Sequence, residues 1–380
     1  MNQQAYRNLI SGRSTEPTAA ILRFFMGVAS VGYSLVVRLR SFLYSKRWLE
    51  VHTTDVPVIS IGNITTGGTG KTPLVIWLCK FLQQKDFRCA VLTRGYKTRR
   101  ASCVMRRAKI ERNTQYAIRN TLKDEPAILA ESCPQAKVIV NPNRVEAAVE
   151  AVSKFGAKVL IMDDGFQHRK LHRDLDIVTI DGTCPFGYGK VLPAGLLREP
   201  VVFLKRADAV VVTRCDQISE SELSQIEKEL QLIDPDMIIA KSVHNLICAK
   251  STAGEKITIE QLKDKKIFAF CGIGNPDAFL NTIRNTGANL VGSKIYNDHY
   301  HYTNDCLADI YEQARCLKAD LILTTQKDWT RTALLTSAKK DIPFAYLAVE
   351  IKFLTGEDKL KQLIEDALAG KIHSCKNNSQ

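Results

Sequence analysis

A glycine-rich run at residues 65–72 follows an apolar segment, residues 56–61, and stands directly before a helical pattern. Glycines let successive backbone N–H groups turn toward phosphate oxygens, and the N-terminus of a helix adds positive potential. In this run Lys71 can reach the β- and γ-phosphates, and the Thr72 hydroxyl can bind Mg²⁺. The run therefore predicts a strand, a phosphate-binding loop and a helix, with a nucleoside triphosphate as the ligand.

The predicted phosphate-binding residues are Thr65, Thr66, Gly67, Gly68, Thr69, Gly70, Lys71 and Thr72. Thr65 stands where the usual G-x-x-x-x-G-K-[ST] pattern has its first glycine, while the three glycines that follow keep the loop compact. A glycine-rich start of a helix that binds no ligand is the alternative, and the pattern alone leaves it open.

Short β-branched runs alternate with helical stretches beyond the loop, as is typical of a parallel sheet covered by helices. The predicted strands are 56–61, 89–93, 137–140, 159–163, 176–180 and 208–213, with helices at 73–84 and 144–155. A smaller set follows, with strands at 267–270 and 321–324, a helix at 277–285, and extended segments at 238–250 and 344–353.

These patterns predict an α/β fold, in which a P-loop NTPase-like parallel-sheet domain and a smaller α/β domain are joined by an extended hinge. A chain of 380 residues is long enough for two cores. The predicted divisions are an N-terminal helical segment at 1–48, a core domain at 49–237, and a C-terminal domain with the hinge at 238–380.

An apolar run at residues 159–162 ends in Asp163, so that this carboxylate is expected at the carboxyl edge of the sheet, where α/β folds bind ligands. Such an acid can hold Mg²⁺ beside transferring phosphate oxygens. A purely structural aspartate is the alternative, and the phosphate loop favours the functional interpretation.

A second acidic motif, Asp124-Glu125, precedes Pro126 in a predicted loop. Acids before a proline commonly cap a helix. A kinase, however, needs a carboxylate to accept the proton of the acceptor hydroxyl, and this pair is a candidate for that role.

Positive charge is concentrated in two stretches of a chain whose net charge is +13. Residues 1–50 hold seven Lys or Arg against two acids, and residues 94–112 hold eight against one. Localised basic surface favours phosphates, anionic lipid or nucleic acid. Nucleic acid is the least favoured of these partners, because no known nucleic-acid-binding motif accompanies the basic stretches.

The first basic stretch surrounds an uncharged apolar segment, residues 24–37, which is too short to span a bilayer unaided. Aromatic and aliphatic side chains flanked by arginines are typical of a helix at an anionic membrane surface. A helix packed on the core of the protein is the alternative.

Eleven cysteines lie scattered without a C-x-x-C pair, which indicates neither a disulfide framework nor a zinc site, and favours a reducing cytosol. His168 and His172 have helical spacing but no evident third ligand, and His299 would by itself be a surface histidine.

The chain resembles the tetraacyldisaccharide 4′-kinases of lipid A synthesis in a series of motifs spread from about residue 57 to residue 328. The motifs are Gly62-Asn63-Ile64-Thr65 with the phosphate loop, Thr93-Arg94-Gly95-Tyr96, Asp124-Glu125-Pro126, Asp163-Asp164-Gly165-Phe166-Gln167-His168, 192–200 (LPAGLLREP), 271–276 (CGIGNP), Asp298-His299 and Thr325-Gln326-Lys327-Asp328. In this family a threonine at the position of Thr65 is usual.

The resemblance implies transfer of the γ-phosphoryl group of ATP, with Mg²⁺, to the 4′-hydroxyl of tetraacyldisaccharide 1-phosphate, the lipid A precursor. It places the reaction at the cytoplasmic face of a bacterial inner membrane, where the N-terminal segment would associate with the lipid. Asp124 would be the catalytic base, paired with His299. Lys71 and Thr72 would serve the phosphates and Mg²⁺, and Arg198 would stabilise the transferring charge or bind the lipid phosphate. Glu125, Asp163 and Asp164 would complete the metal shell.

The sequence favours three other classes of function less than this one. A P-loop switch or metallochaperone-type ATPase at a membrane is the main alternative, although residues 325–328 do not supply the N-K-x-D guanine signature. A non-catalytic module that binds a membrane surface would leave the clustered acidic residues after the phosphate loop without a role. A dinucleotide oxidoreductase is disfavoured, because Asp277 stands at the third glycine of G-x-G-x-x-G.

Overall fold

The computed structural model describes residues 3–95, 125–251, 255–298, 300–332, 335 and 341–370. The chain forms two compact units. Unit 1 comprises the described residues of 1–103, 133–243 and 351–380, and unit 2 comprises those of 104–132 and 244–350. Most of the basic stretch at 94–112 lies outside the described residues, as do the predicted site residues Asp124 and His299.

Unit 1 is a parallel sheet with helices, preceded by two N-terminal helices. Its helices are α1 (Gln3–Ile10), α2 (Pro17–Ser45), α3 (Lys71–Gln84), α5 (Arg144–Phe155), α6 (Glu220–Ile233) and α11 (Glu357–Leu368). Its strands are β1 (Val58–Asn63), β2 (Cys89–Thr93), β3 (Lys137–Val140), β4 (Val159–Asp163), β5 (Leu175–Asp181) and β6 (Ala209–Thr213), followed by the start of β7 (Ile238–Ser251).

The strand order in unit 1 is β7-β6-β5-β1-β4-β2-β3, and each neighbouring pair is parallel. Strand β1 lies between β4 and β5, with Ile61 opposite Asp163 and Asn63 opposite Thr179. Every residue of β4 and β5 is buried, because helices cover both faces of such a sheet and apolar runs replace alternation. The carboxyl ends of these strands therefore meet at one edge, where the loops carry polar side chains.

In unit 2 the strand order is β10-β9-β11-β12. Its elements are α4 (Glu125–Ser132), β8 (Lys256–Ile257), α7 (Ile259–Leu262), β9 (Lys266–Cys271), α8 (Pro276–Arg284), β10 (Asn289–Ile295), α9 (Asn304–Cys316), β11 (Leu321–Thr325), α10 (Gln326–Thr332) and most of β12 (Phe344–Thr355). Its core is aromatic, with Phe270, Tyr302, Trp329 and Phe344 in contact. Strands β7 and β12 each run from one unit into the other along the chain.

The α/β fold class is confirmed, and most predicted elements occur within a few residues of their expected places. The division of the chain differs from the expected one in two places. Glu125–Ser132 belongs to unit 2, where α4 packs against α10, and not to the core domain that was expected to span 49–237. Residues 351–370 belong to unit 1, and not to the expected C-terminal domain at 238–380.

Helix α11 belongs to unit 1 because it and the residues just before it pack on α3. Trp77 of α3 contacts Phe353 with 5.0 Å between ring centroids, and its indole N–H donates to Glu357 at 3.3 Å. Lys85 pairs with Glu365 at 2.9 Å. Because this contact joins residues far apart in sequence, the local pattern of α11 does not reveal it.

Candidate active site

The phosphate loop connects β1 to α3 and has a backbone that favours glycine at two points. Gly67 has φ 120°, and Gly70, which caps α3, has φ 84° in the left-handed region. A Cβ atom placed on Gly68 would meet no atom within 4 Å, so the loop has open space beside it. The N-terminus of α3 begins at Lys71 and supplies unsatisfied N–H groups. This arrangement suits the binding of phosphate oxygens.

Hydrogen bonds from neighbouring strands hold the loop in place. The Thr69 hydroxyl lies 2.7 Å from that of Thr179 on β5, and Asn63 donates to Thr69 Oγ1 at 3.1 Å. The Thr66 N–H donates to the Leu196 carbonyl at 2.8 Å, so this N–H is already satisfied. Because the loop is supported on several sides, its conformation is set before any ligand binds.

Lys71, Asp164 and Arg198 form an ion cluster at the loop. Lys71 Nζ lies 3.4 Å from Asp164 Oδ1, and Arg198 Nη1 lies 2.8 and 2.9 Å from the two Asp164 oxygens. Asp164 has φ 55°, a left-handed backbone that follows the end of β4. All three side chains keep some access to solvent, with exposed fractions of 13%, 25% and 20%. A ligand phosphate can therefore reach both cations.

The charge state of Asp164 follows from its two neighbours. Burial acts to raise the pKa of its carboxyl, but the Lys71 and Arg198 charges outweigh burial and hold that pKa well below its usual range. Asp164 is consequently an anion at any physiological pH, and it keeps two cations beside the phosphate loop.

Asp163 ends β4 and lies deeper than its neighbour. Its Oδ2 accepts a hydrogen bond from Thr93 at the end of β2 at 3.0 Å, and its backbone carbonyl accepts from Arg144 at 3.3 Å. Burial lowers the pKa of Arg144 to about 10, and the charges of Asp163 and Asp164 oppose that shift. The two acids and the Thr72 hydroxyl are oxygen donors of the kind that Mg²⁺ prefers.

Within the part of the chain that the structure describes, no three His, Cys, Asp or Glu side chains form a complete metal cluster. Mg²⁺ commonly binds one or two carboxylates and completes its shell with phosphate oxygens and water. Burial and four nearby cations lower the pKa of His168, in the same turn, to about 4.

A further set of contacts supports the Asp164 cluster, and the sequence analysis assigned no role to its residues. Gln167 donates from its amide to the Asn63 carbonyl at 2.8 Å and to Glu199 at 2.7 Å, and it accepts from Arg198 at 3.3 Å. Arg206 donates to Glu199 at 2.7 Å. These contacts orient Arg198, and only their location within family motifs pointed to Gln167 and Glu199.

Glu125, which was predicted to be a metal ligand, lies in unit 2 at the start of α4, whereas Asp163 and Asp164 lie in unit 1. Lys327 Nζ lies 3.2 Å from Glu125 and 3.4 Å from Asp298. Burial acts to lower the pKa of Lys327, but the two carboxylates outweigh it and raise that pKa. Lys327 thus pairs with Glu125 and Asp298, which are the chain neighbours of the predicted catalytic residues at positions 124 and 299.

Helix α2 presents apolar side chains to the outside of unit 1. Its opposite face contacts the protein, where Tyr33 donates to the Arg198 carbonyl at 2.8 Å and Arg40 to the Gln167 carbonyl at 3.1 Å. Phe24 and Phe25 are 67% and 63% exposed. The other large exposed apolar side chains of the helix are Ile21, Leu22, Val28, Val31, Leu35, Val36, Leu39 and Phe42. By length and composition alone, the helix could cross a membrane.

Comparison with known proteins places this geometry in a family. The family model described as tetraacyldisaccharide-1-P 4′-kinase matches residues 22–369. The tetraacyldisaccharide 4′-kinase of Halothermothrix orenii is 34% identical, over 94% of this chain and 96% of that protein. That of Desulfotalea psychrophila is 37% identical, over 78% of this chain and 84% of that protein.

A solved structure is also similar over nearly its whole length. The crystal structure of LpxK from Aquifex aeolicus in complex with ATP has a TM-score of 0.64 and 28% identity, covering 91% of this chain and 99% of that chain. The chain belongs to the family of tetraacyldisaccharide-1-phosphate 4′-kinases, the ATP-dependent kinases of lipid A synthesis.

Proposed function

We propose that Lys71, Arg198 and Asp164 carry the transfer of the γ-phosphoryl group from ATP to the 4′-hydroxyl of tetraacyldisaccharide 1-phosphate. The observation that carries this proposal is the contact of one carboxylate with two cations beside the phosphate loop. Both cations are held ready before a ligand arrives, which reduces the cost of ordering them later. Their charge would stabilise the negative charge that spreads over the transferring oxygens.

Thr72, Asp163 and Asp164 would hold the Mg²⁺ that accompanies ATP, with Glu125 as a further candidate ligand. Bound Mg²⁺ would neutralise charge on the phosphate oxygens. Asp163 keeps its orientation through Thr93. Asp164 would exchange part of its contact with Lys71 for the metal, which frees the lysine for phosphate. The loop residues Thr65–Thr72 would bind the remaining phosphate oxygens through backbone N–H groups.

Asp124 would accept the proton of the sugar hydroxyl, with His299 as its partner. What supports this role is the pairing of Glu125 and Asp298 with Lys327, because each of these acids is the immediate chain neighbour of one proposed catalytic residue. A lysine between the two acids offsets their charges, so that two acidic segments can lie close together in one unit.

The test is transfer of label from γ-labelled ATP to tetraacyldisaccharide 1-phosphate in detergent with Mg²⁺. Asp124→Ala should lower turnover by at least about a hundredfold while changing the affinity for ATP little, as expected for a general base. Asp55→Ala, at an exposed acid, is the matched control and should keep normal turnover. Near-normal turnover of the Asp124 variant would remove it from this role, and label found only in inorganic phosphate would contradict the kinase reaction.

We also propose that α2 lies in the membrane surface without crossing it, at the cytoplasmic face of the inner membrane. Its contacts with the protein, through Ser30, Tyr33, Arg40 and Ser41, fall in the middle and second half of the helix. A helix that crossed the bilayer would have to free these polar groups from the protein or carry them through hydrocarbon. Along the surface, the apolar face enters the acyl chains and the polar face stays on unit 1.

This placement brings lipid next to the candidate site, because α2 contacts the backbone of both Arg198 and Gln167. A tetraacylated substrate would then keep its acyl chains in the membrane while its sugar approaches the phosphate loop. Anionic headgroups would attract the arginines of the N-terminal segment.

Replacing Phe24 and Phe25 together by Ser should weaken binding to vesicles that contain anionic lipid by about tenfold or more, since each buried aromatic contributes roughly 1.5–3 kcal/mol. Phe87→Ser, at a partly exposed phenylalanine outside α2, should bind vesicles normally. Point variants are preferable to deletion of the helix, which would also remove the Tyr33 contact to Arg198. Unchanged flotation of the double variant would contradict the proposed placement.

A further inference from the structure

The segment 187–198, here called the arginine loop, ends at Arg198 and pairs with the start of the phosphate loop through its backbone. The Arg198 N–H donates to the Ile64 carbonyl at 2.7 Å, and the Leu196 carbonyl accepts from the Thr66 N–H at 2.8 Å. Both distances are those of well-formed hydrogen bonds. The backbone that carries the Arg198 guanidinium is therefore attached directly to the chain that forms the phosphate loop.

The arginine loop is also folded tightly on itself. The Leu196 N–H donates to the Gly187 carbonyl at 2.9 Å, and the Leu197 N–H donates to the Lys190 carbonyl at 3.1 Å. A Cβ atom placed on Gly195 would collide with the Lys190 carbonyl oxygen, so the chain passes too closely there for a side chain. Because these contacts close the loop on itself, its residues keep their positions together.

Side chains of the two N-terminal helices donate hydrogen bonds to backbone carbonyls of the arginine loop. Tyr6 of α1 donates to the Pro193 carbonyl at 2.8 Å. Tyr33 of α2 donates at the same distance to the carbonyl of Arg198 itself. The main chain of Arg198 is thus held on both sides of its Cα atom, through its N–H by Ile64 and through its carbonyl by Tyr33.

The surroundings of Tyr33 fix the direction of its hydroxyl. Its ring packs against the apolar cluster that contains Ile64 and Leu197. Burial and the charge of Glu199 raise the pKa of Tyr33, despite the opposing charge of Arg198. The hydroxyl consequently stays protonated, and it donates to one carbonyl at any physiological pH.

We propose that Tyr33 is a positioning residue for phosphoryl transfer, which fixes the main chain of Arg198 so that the guanidinium stays on Asp164 beside the phosphate loop. This inference rests on the proposed function, in which Arg198 stabilises the transferring charge. Arg198 Nη1 lies 2.8 and 2.9 Å from the two Asp164 oxygens, and a displacement of about 1 Å in such a site can lower a rate by about a hundredfold. Helix α2 would therefore both contact lipid and hold a cation of the candidate site in place.

Tyr33→Phe tests the proposal, because it removes the hydroxyl and keeps the packed ring. At saturating lipid in detergent, kcat for lipid phosphorylation should fall by about tenfold. KM for ATP should stay within about twofold, since Thr69 and Thr179 support the phosphate loop separately. Tyr44→Phe is the matched control on the same helix, at a tyrosine whose ring lies against Arg169, and should keep a normal kcat. A normal kcat in the Tyr33 variant would overturn the proposal.

A double-mutant cycle with Arg198→Ala separates positioning from a merely structural role. Arg198→Ala should lower kcat by about a hundredfold or more, and adding Tyr33→Phe should change it little further, because the group that Tyr33 positions is already absent. A purely structural tyrosine would have the same effect in both backgrounds. Effects of the two substitutions that multiply independently would therefore contradict the positioning role.

Hydrogen exchange gives a readout that does not depend on activity. Exchange of the Arg198 amide should become about threefold or more faster in Tyr33→Phe and stay unchanged in Tyr44→Phe. If Arg198→Ala keeps a normal kcat, the role of Arg198 under the proposed function fails, and the positioning role fails with it. If Arg198→Ala lowers kcat while Tyr33→Phe leaves both kcat and exchange unchanged, only the positioning role fails.

Discussion

Asp164 in unit 1 and Asp328 in unit 2 each contact an arginine, yet their surroundings differ. The Asp164 side chain is 25% exposed, and its contacts are the cations Lys71 and Arg198. Asp328 is fully buried and accepts hydrogen bonds from the Gly272 N–H at 2.9 Å, the Thr325 hydroxyl at 2.7 Å and the Tyr302 hydroxyl at 3.0 Å.

Their pKa values shift in opposite directions. Burial raises the pKa of Asp328, despite Arg331 beside it, whereas two cations hold the pKa of Asp164 low. A carboxylate that reaches solvent and contacts partly exposed cations can exchange them for a ligand. A buried carboxylate that accepts hydrogen bonds from a backbone N–H and from hydroxyl groups, and that also pairs with a cation, cannot exchange its partners without leaving donors unsatisfied. The comparison thus separates a residue of the candidate site from a residue that stabilises its unit.

The largest expected effect concerns a cation of the Asp164 cluster. Lys71→Met should lower kcat for lipid phosphorylation by about a hundredfold to a thousandfold, because a charge that stabilises the transferring group is lost. The melting temperature should change little, since Arg198 still pairs with Asp164. Lys85→Met, which removes only a surface pair with Glu365, is the control. If the Lys71 variant kept a normal kcat, the Asp164 cluster would have only a structural role, like the contacts of Asp328.

Asp328→Ala should act on stability instead, and should lower the free energy of unfolding by about 3 kcal/mol or more. The substitution leaves the Tyr302 hydroxyl, the Gly272 N–H and the Arg331 charge without their buried acceptor. Urea denaturation followed by tryptophan fluorescence measures the loss, since Trp329 lies in the same core. Asp328→Asn retains part of the hydrogen bonding and should lose less. A fully stable alanine variant would contradict the contrast between the two carboxylates.

A smaller effect is expected at His168, where burial and nearby cations lower the pKa to about 4. Because the unfolded chain has a histidine pKa near 6.5, it binds more protons than the folded protein between about pH 6.5 and pH 4. Stability should therefore fall as the pH falls through this range, by about 1 kcal/mol after allowance for solvent screening.

Thermal unfolding at a series of pH values checks this expectation. His168→Gln should flatten the dependence, and His172→Gln, at a more exposed histidine, should leave it unchanged. An unaltered pH dependence in the His168 variant would show that the burial of this histidine and the cations around it do not produce the dependence.

Strong local patterns allowed much of unit 1 to be predicted from the sequence. The strands 89–93, 137–140 and 159–163 match β2, β3 and β4 at both ends, because continuous apolar runs between polar turns have few alternative structures. The helix expected at 73–84 begins two residues earlier, at Lys71, since the loop passes directly into it. Strand β10 was not predicted, because its side chains are half-buried or exposed and carry no clear apolar alternation.

The candidate site was predictable only in part. Asp163 and Lys71 stand in motifs whose spacing has a chemical reason. In contrast, the contact of Lys327 with Glu125 and those of Arg214 with Asp181 and Gly68 join residues more than thirty positions apart. No local sequence pattern predicts a contact between residues so far apart in the chain. Asp124 and His299, which lie outside the described residues, remain predictions from family resemblance.

The order of residues was sufficient to establish the phosphate loop, the alternation of strands and helices, and the kinase family, because each depends on neighbours in the chain or on motif identity. The tertiary structure determined which charged side chains contact each other. It joined Asp164 to Lys71 and Arg198, returned α11 to unit 1, and turned the apolar face of α2 outward. Electrostatic and packing energies depend on distance in space, and distant segments acquire those distances only when the sheets and helices assemble.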